Sequence, residues 1–396
     1  MIFHAATTIS LLLAVVGFIS FYPISFPGSI YLVKFLFIVA AVFVFTLFVK
    51  LKLKVTNLWS GYFFILFSLC FSMIYSSPAT WLTFGSMVFV IAILLPKNIL
   101  ASAGGTFENI LFWIFIPGLI LHFLFIAGVD IPHFIVSVPH KEIYGYYYKA
   151  YIFNAELSHV NFSSEFGRFS SVFDEPGIVG TISGLVLVYR GLNFSSLKSV
   201  VFLVAGLASF SIAFFAIVLI GFIMNWKEYK KSLMVIVSLL CFLFLIVIPG
   251  VKSSDISQES LFYRHVIVRL INPESINNRE SECFKVKMND FVNSDSLLFG
   301  KGPGSVAHTG CDVSSPSVLI YEYGFLGGGL IIIYNFIIFV ILNKKLTGAF
   351  FSSQFILVFF VPFLASFYQR PYVFHIGMLC LYLIYINSTN RDGLQG

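Results

Sequence analysis

Residues 317–342, SVLIYEYGFLGGGLIIIYNFIIFVIL, form one of the long apolar runs of this chain. Glu322 is the one charged residue within the run. An α-helix needs about 20 consecutive, mostly apolar residues to cross the hydrocarbon core of a bilayer. The run therefore predicts a membrane-spanning helix.

Composition extends this interpretation to most of the chain. Of its 396 residues, 58% are hydrophobic and only 11% are charged, whereas soluble domains carry about 25% charged residues. The formal net charge is +6, but the basic residues are scattered and form no run interleaved with aromatic residues. Nucleic acid is therefore not an expected partner, because its recognition needs such a basic patch. Membrane lipid is the expected surroundings.

Apolar stretches define the predicted fold. They lie at 5–22, 30–49, 58–75, 80–96, 107–127, 176–190, 199–210, 211–226, 232–250, 317–342, 349–367 and 371–387. We therefore expect an all-α polytopic membrane protein, a single integral domain over 1–396 with about twelve transmembrane helices. The pair inside 199–226 is too short for two ordinary spans and too long for one. We expect two short helices broken around Ser209 and Ser211, or a re-entrant pair.

The distribution of charge predicts the orientation. With the N-terminus inside, the cytoplasmic segments hold twelve bases, Lys50, Lys52, Lys54, Lys97, Arg190, Lys198, Lys227, Lys230, Lys231, Lys344, Lys345 and Arg391. Only three acids, Glu108, Glu228 and Asp392, accompany them. An excess of Lys and Arg in short loops marks the cytoplasmic side. Both termini are therefore predicted to be cytoplasmic.

Two long segments interrupt the series of apolar stretches. Residues 128–175 and 251–316, here called the first and second long segments, both emerge on the outer side and hold most of the polar residues. Long connections of this kind are usually functional or disordered. We expect two large outer loops that contain short helices, and we expect any active site to face outward.

Two cysteines of the second long segment are predicted to form a disulfide. Cys283 and Cys311 lie in it, in an oxidising compartment if the orientation is correct. Their pairing would stabilise the loop by about 3–4 kcal/mol in the chain-entropy description. Two free thiols are the alternative.

The sharpest local motif is at 167–177, GRFSSVFDEPG, which leads directly into an apolar stretch. Pro176 suits the first turn of a helix, and Asp174 and Glu175 suit the positive end of its dipole. In the structural interpretation these acids cap the helix, and Arg168 anchors to lipid headgroups. In the functional interpretation an arginine and two carboxylates converge on one pocket. Such a group could bind a diphosphate and accept a proton from a hydroxyl.

Other ionisable residues add candidates. Glu322 either reaches back to headgroups between two tyrosines or faces a protein interior or cavity. His308 is a second possible base, although a solvated loop histidine is the default. Arg264 and Arg269 have an amphipathic spacing that suits a helix lying flat on the membrane. Arg279 precedes two glutamates, so a surface ion pair is its simplest explanation.

Several kinds of site are excluded. Gly300, Gly302 and Gly304 are not a nucleotide cradle, because no strand–helix unit surrounds them. No His/Cys cluster has zinc spacing, and no Asp-x-Asp is present to hold a divalent ion on a sugar nucleotide. We therefore expect neither a metal nor a cofactor.

The architecture and two motifs resemble the O-antigen polymerases, the Wzy-type enzymes of bacterial surface-polysaccharide assembly. One motif is Arg168 followed by Phe173 and Glu175-Pro176-Gly177. The other is Phe299-Gly300-x-Gly302 followed by Tyr321-Glu322-x-Gly324-x-x-Gly327. The cysteine pair is not part of the family pattern. The Arg-x10-Gly spacing of some members is absent, since positions 179 and 290 are Val and Asp, and this leaves the role of Arg279 in doubt.

The resemblance implies a metal-independent transferase with a GT-C-like helical fold in the bacterial inner membrane. It would join undecaprenyl-diphosphate-linked oligosaccharide repeats at the periplasmic face, with a chain-length regulator as a further partner. The site expected from it combines Arg168, Arg264, Arg269 and Arg279 for the diphosphate. Glu175 is the first choice of base, followed by Glu322 and His308, and Asp174 orients Arg168.

Three other functions remain open at this point. An O-antigen ligase shares the architecture but transfers the glycan to lipid A core. A transporter of lipid-linked oligosaccharides would be expected to show internal repeats and charged residues at mid-membrane, and neither is evident. A non-catalytic membrane scaffold would leave Glu322 without an explanation.

Overall fold

The computed structural model describes a large part of the chain. The described residues are 2–19, 95–136, 146–159, 167–173, 175–224, 280–311, 313, 315–348, 350, 355–364 and 376–392. The predicted stretches 30–49, 58–75 and 232–250, and nearly all of 80–96, lie outside these residues.

The described part is mostly helical. Its α-helices are α1 (Ile2–Ile19), α2 (Lys97–Ile126), α3 (Pro176–Tyr189), α4 (Leu197–Ala208), α5 (Ile212–Met224), α6 (Glu282–Val292), α7 (Ser305–Thr309), α8 (Ser317–Thr347) and α9 (Ile376–Asp392). A 3-10 turn covers Asp295–Leu297, and a π-helical turn covers Phe355–Phe360. By length and composition, α2 and α8 could each cross a membrane.

A small β-sheet corrects the all-α prediction. In the first long segment, β1 (Phe134–Val136), β2 (Tyr146–Tyr151) and β3 (Asn154–His159) form an antiparallel sheet in the order β1-β2-β3. In its register Tyr148 lies opposite Leu157 and Ala150 opposite Ala155. Aromatic residues favour strands, and β2 begins with three consecutive tyrosines. Short helices were expected here, and the sheet forms instead.

The predicted break inside 199–226 is confirmed. Helix α4 ends at Ala208 and α5 begins at Ile212, so the turn between them contains Ser209 and Ser211. Phe210 in this turn has a φ of 45°, a left-handed conformation that a continuous right-handed helix cannot contain. The stretch therefore forms two short helices rather than one long helix.

Close contacts join the helices into one core. A Cβ at Gly104 of α2 would lie 2.3 Å from the Leu383 carbonyl oxygen of α9, so this glycine lets the two backbones approach. Helix α1 also packs on α2, where Ser10 Oγ donates to the Ile99 carbonyl oxygen at 3.0 Å. Helix α3 packs on α4, α5 and α9. The buried apolar side chains of these helices form a single cluster.

Pair contacts give the relative directions of α2 to α5. Helices α2 and α4 run parallel to each other, because the contacting pairs Asn109–Lys198 and Phe115–Phe202 follow the same order along both helices. Helix α3 runs in the opposite direction, because its end at Arg190 meets Glu108 early in α2. Helix α5 runs with α3.

A buried ionic cluster fixes one end of this bundle. Arg190 pairs with Glu108, whose side chain is 4% exposed. Arg190 also donates to Ser199 Oγ at 3.1 Å and to Ser196 Oγ at 2.9 Å. Glu108 and Arg190 are both predicted from the sequence to lie in cytoplasmic segments. Their contacts join the start of α4, the end of α3 and the first half of α2.

Breaking this pair should destabilise the protein strongly. Glu108→Ala would leave a largely buried guanidinium without its carboxylate, at a cost of about 3 kcal/mol. Glu282→Ala is the matched control, because Glu282 pairs with Lys285 on an exposed surface at 86% exposure, and it should change stability by at most about 0.5 kcal/mol. Unfolding of the purified protein in detergent measures both. Equal effects of the two substitutions would contradict the prediction.

Candidate functional site

Arg168 lies against the break between α4 and α5. Its Nε–H donates to the Ser209 carbonyl oxygen at 3.0 Å, and its Nη2 donates to the Phe210 carbonyl oxygen at 3.3 Å. The backbone N–H of Phe169 donates to the Ala208 carbonyl oxygen at 2.9 Å. The last carbonyl groups of a helix have no intrahelical donor, and a cation there is favourable. Arg168 therefore caps the C-terminal end of α4.

The other side of the segment 167–173 bonds to the sheet. The Ala155 N–H donates to the Ser171 carbonyl oxygen at 2.7 Å. Ser170 Oγ donates to the Ala155 carbonyl oxygen, and Ser171 Oγ donates to the Phe153 carbonyl oxygen at 3.4 Å. The segment is thus a bridge between β3 and the α4–α5 break, and it carries Arg168 on its helix side.

A buried polar pair joins the sheet to α2. His122 Nδ1 lies 2.7 Å from Glu156 Oε1, and both side chains are 1% exposed. Asn154 Nδ2 donates to the same oxygen at 2.7 Å. Burial raises the pKa of Glu156 above its ordinary value, and the hydrogen bonds from His122 and Asn154 oppose that effect. Among the described residues, Glu156 Oε2 has no hydrogen-bond partner, so the charged form gains little there.

Sequence analysis missed this pair. Neither Glu156 nor His122 is among the candidate residues identified from the sequence. The signal in the sequence is His122 itself, an ionisable residue within the apolar stretch 107–127, because such residues usually face a protein interior. Gly118 is part of the same contact, since a Cβ there would lie 2.7 Å from the Phe153 carbonyl oxygen. This glycine lets the turn between β2 and β3 reach α2.

The second site lies where the glycine turn after Phe299 crosses α8. The Lys301 N–H donates to the Tyr321 carbonyl oxygen and the Gly302 N–H to the Glu322 carbonyl oxygen, each at 2.9 Å. Gly324 interrupts α8 with φ 69° and ψ 178°. A Cβ at Gly324 would lie 2.2 Å from the Leu298 carbonyl oxygen, and a Cβ at Gly300 would lie 2.3 Å from that of Glu322.

The two halves of the second sequence motif are therefore one structural unit. The Gly300 turn fills the break in α8, and each glycine leaves room for the backbone of the opposite segment. This unit explains why glycine stands at both positions.

Glu322 is held inside this unit. Its side chain is buried at 7% exposure, and its carboxylate lies near the backbone N–H groups of Gly304 and Val306, at the start of α7. The carboxylate thus faces the protein interior rather than reaching back to headgroups.

The glycine run is not an anion cradle. A cradle needs several backbone N–H groups that point at the ligand. The N–H groups of Gly300, Lys301 and Gly302 instead bond to the carbonyl oxygens of Ser296, Tyr321 and Glu322. This supports the exclusion of a nucleotide site from the sequence.

The rest of the described second long segment packs beside this unit. Cys283 of α6 and Cys311 form the disulfide expected from the sequence, with 5.6 Å between their Cα atoms. Phe284, Phe291 and Tyr321 form a separate buried cluster. The disulfide thus crosslinks the segment internally, and the apolar cluster packs it against Tyr321 in the first turns of α8.

The remaining candidates are distributed as follows. Glu175 is half-buried and directly precedes α3, whose first residue is Pro176, as expected. His308 is exposed on α7. The predicted residues outside the described part are Asp174, Arg264, Arg269 and Arg279. The contacts given above for Arg168 and for Glu322 have no partner in common. Within the described residues no group of three or more His, Cys, Asp or Glu side chains is arranged to hold a metal.

Comparisons with known proteins identify no relative: no family model, no curated protein and no solved structure matches the chain.

Replacing Gly324 should disrupt the α8 break. Gly324→Ala adds a Cβ in contact with the Leu298 carbonyl oxygen, at a backbone conformation that is nearly restricted to glycine, and should destabilise by about 2–5 kcal/mol. Gly329→Ala is the control in the same helix, because nothing lies within 4 Å of its Cβ position. It should be neutral or stabilising by at most about 1 kcal/mol. Thermal unfolding in detergent tests both variants. An unchanged melting temperature in Gly324→Ala would show that the contact between the Gly300 turn and the α8 break does not require glycine at this position.

The buried Glu156 should make stability depend on pH. A carboxyl whose pKa is raised on folding binds its proton more tightly in the folded state, so its contribution is favourable at low pH. That contribution is lost as the pH rises from 4.5, the ordinary pKa of a glutamate carboxyl, through the raised pKa of Glu156 in the folded protein. Relative to Glu156→Gln, which does not titrate, the wild type should therefore lose stability over this range. If the melting temperatures of the two proteins change in parallel with pH, Glu156 makes no pH-dependent contribution to stability.

Proposed function

We propose that this chain is a polytopic glycosyltransferase of the O-antigen polymerase type in the bacterial inner membrane. It would have about twelve crossings, a GT-C-like arrangement and both termini in the cytoplasm. Its substrates would be undecaprenyl-diphosphate-linked oligosaccharide repeats, which it would join at the periplasmic face. The first and second long segments would form the periplasmic part.

One observation supports the proposal most directly. The motif at Phe299–Gly302 and the motif at Tyr321–Gly327, which carry much of the resemblance, are in contact through Gly300 and Gly324. Residues 19 or more positions apart in sequence thus form one backbone unit. This supports treating the two motifs as a shared feature rather than as separate accidental matches.

The positions of charged residues agree with the proposed orientation. Glu108, Arg190 and Lys198 cluster where the end of α3 and the start of α4 meet the first half of α2, and Arg168 lies at the opposite end of α4. The twelve residues of α4 rise about 18 Å, which is less than the roughly 30 Å of membrane hydrocarbon. In the proposed orientation the α4–α5 break therefore lies in the periplasmic half of the membrane.

The proposed reaction needs few protein groups. The hydroxyl of the acceptor sugar attacks the anomeric carbon of the donor, the bond from that carbon to the diphosphate oxygen breaks, and undecaprenyl diphosphate leaves. Glu175 takes the hydroxyl proton. Arg168, with Arg264, Arg269 and Arg279 as candidate partners, stabilises the charge that develops on the diphosphate. Bringing the two lipid-linked substrates together supplies a further part of the rate.

Roles for the other candidates follow from their contacts. Glu322 is buried beside the start of α7 and is better suited to holding the glycine turn than to accepting a proton. His308 is exposed and is the remaining candidate base. Asp174 would orient Arg168.

Glu175→Gln tests the catalytic assignment. Because the substitution keeps the size of the side chain and removes its basicity, the variant should reach the membrane normally but lose long-chain polymer by about 100-fold or more. Arg168→Ala should likewise lose the long-chain polymer and leave only single repeats. Lys285→Ala, which removes an exposed base from the second long segment, is the control and should give a normal ladder. Polysaccharide gels of complemented deletion strains, with protein levels measured, provide the readout.

Long chains made by Glu175→Gln at normal abundance would rule out that residue as the base. The deletion strain itself tests the class of function. Loss of a polymerase leaves lipid A core capped with one repeat, whereas loss of a ligase leaves the core without a repeat. Normal polysaccharide in the deletion strain would refute the proposed function.

A further inference from the structure

The bridge segment 167–173 is held from two directions. On one side Arg168 bonds to the carbonyl oxygens of Ser209 and Phe210. On the other side Ser170 and Ser171 bond to the backbone of the β2–β3 hairpin. The position of Arg168 therefore depends on where the hairpin sits.

The hairpin is itself fixed to α2 by a buried contact. Glu156 of β3 reaches His122 at 2.7 Å, and the carboxylate oxygen in this contact also accepts the amide of Asn154. Glu156 follows Ala155, whose N–H and C=O both bond to the bridge. One residue step thus connects the contact to α2 with the contact to the bridge.

We propose that His122 and Glu156 form a latch that positions Arg168 on the α4–α5 break. The path runs from α2 through Glu156 and Ala155 to Ser170 and Ser171, and then to Arg168. Every step along it is a backbone connection or a described hydrogen bond. His122 and Glu156 are positioning residues, since neither is exposed enough to touch a substrate.

The alternative is that the pair only stabilises the sheet. Removing either partner would leave the other buried and unsatisfied, which destabilises any protein, so a loss of stability does not separate the two explanations. Coupling to Arg168 does. If the pair acts through Arg168, removing Arg168 should abolish the effect of removing the pair.

The test measures how often the α4–α5 break opens. Ser209 is 0% exposed, so a Ser209→Cys probe should react slowly with a polar maleimide in detergent-solubilised full-length protein. Mass spectrometry of the probe peptide gives the rate without interference from other thiols. Arg168→Ala, Glu156→Ala and His122→Ala should each speed labelling by about tenfold, as expected when a charge-assisted or buried hydrogen bond is lost from a local opening equilibrium.

The double variant Arg168→Ala/Glu156→Ala should label no faster than Arg168→Ala alone. Glu156→Gln should keep the parental rate, because its carbonyl oxygen can accept the same two hydrogen bonds. His133→Ala is the matched control: His133 is exposed and bonds locally to the Ile131 carbonyl oxygen, so its loss should leave the rate unchanged.

Three results would each overturn the latch. They are an unchanged rate in Arg168→Ala, an unchanged rate in Glu156→Ala, and a double variant whose acceleration equals the product of the single effects. If Glu156→Ala does not reach the membrane, Glu156→Asp serves in its place. It keeps the charge but withdraws the oxygen by one methylene, and a parental rate in that variant counts against the latch.

The consequence for catalysis rests on the proposed function. In a transferase that binds a diphosphate through Arg168, Glu156→Ala should raise KM for the lipid-linked donor at least as much as it lowers kcat. The labelling experiment uses no glycan substrate. If the double variant labels no faster than Arg168→Ala but the protein has no transferase activity, the proposed function is wrong and the latch stands. If transferase activity is found but the labelling effects of the two substitutions multiply, only the latch is wrong.

Discussion

Interrupted helices must have their backbone groups satisfied, and this requirement organises the described structure. A break leaves carbonyl and N–H groups without intrahelical partners, and buried groups of this kind are costly. At the α4–α5 break the first long segment supplies Arg168. At the Gly324 break in α8 the second long segment supplies the Gly300 turn. Each long segment is thus tied to the helices by closing one break, which explains why polar residues of the segments meet apolar helices at these points.

This arrangement changes the interpretation of the residues that looked most catalytic. Arg168 bonds to backbone carbonyl groups and Glu322 is buried, so their presence alone does not require chemistry. A structural role does not oppose a functional one for Arg168, because a planar guanidinium has five donors and a side chain fixed by its surroundings is better prepared to meet an anion. For Glu322 the balance differs. Its carboxylate is buried beside the start of α7, which favours a positioning role for it and leaves Glu175 as the stronger candidate base.

Apolar patterning predicted much of the fold, and its failures have physical causes. It located α3, α4, α5 and the break at Ser209 and Ser211, because run length and flanking bases decide such elements. The apolar pattern placed the start of α2 at residue 107, whereas the helix begins at Lys97. The residues before 107 are less apolar, but they belong to the same helix, which Gly104 lets approach α9. The sheet was missed because its strands lie in a polar segment without a long apolar alternation. The contact between His122 and Glu156 joins residues far apart in sequence, and only the folded register brings them together.

The two breaks also differ in what could disturb them. The α8 break is closed by backbone against backbone, with Gly300 and Gly324 in mutual contact and a disulfide nearby, so it has few ways to move without unfolding. The α4–α5 break is closed by the Arg168 side chain and a single backbone N–H, that of Phe169, on a short bridge, and side-chain hydrogen bonds exchange more easily than packed backbone segments. If the proposed function is correct and either part of the molecule rearranges when a substrate enters, the Arg168 side is the one whose contacts allow it, because a substrate oxygen can take the place of a carbonyl oxygen as the acceptor of the guanidinium.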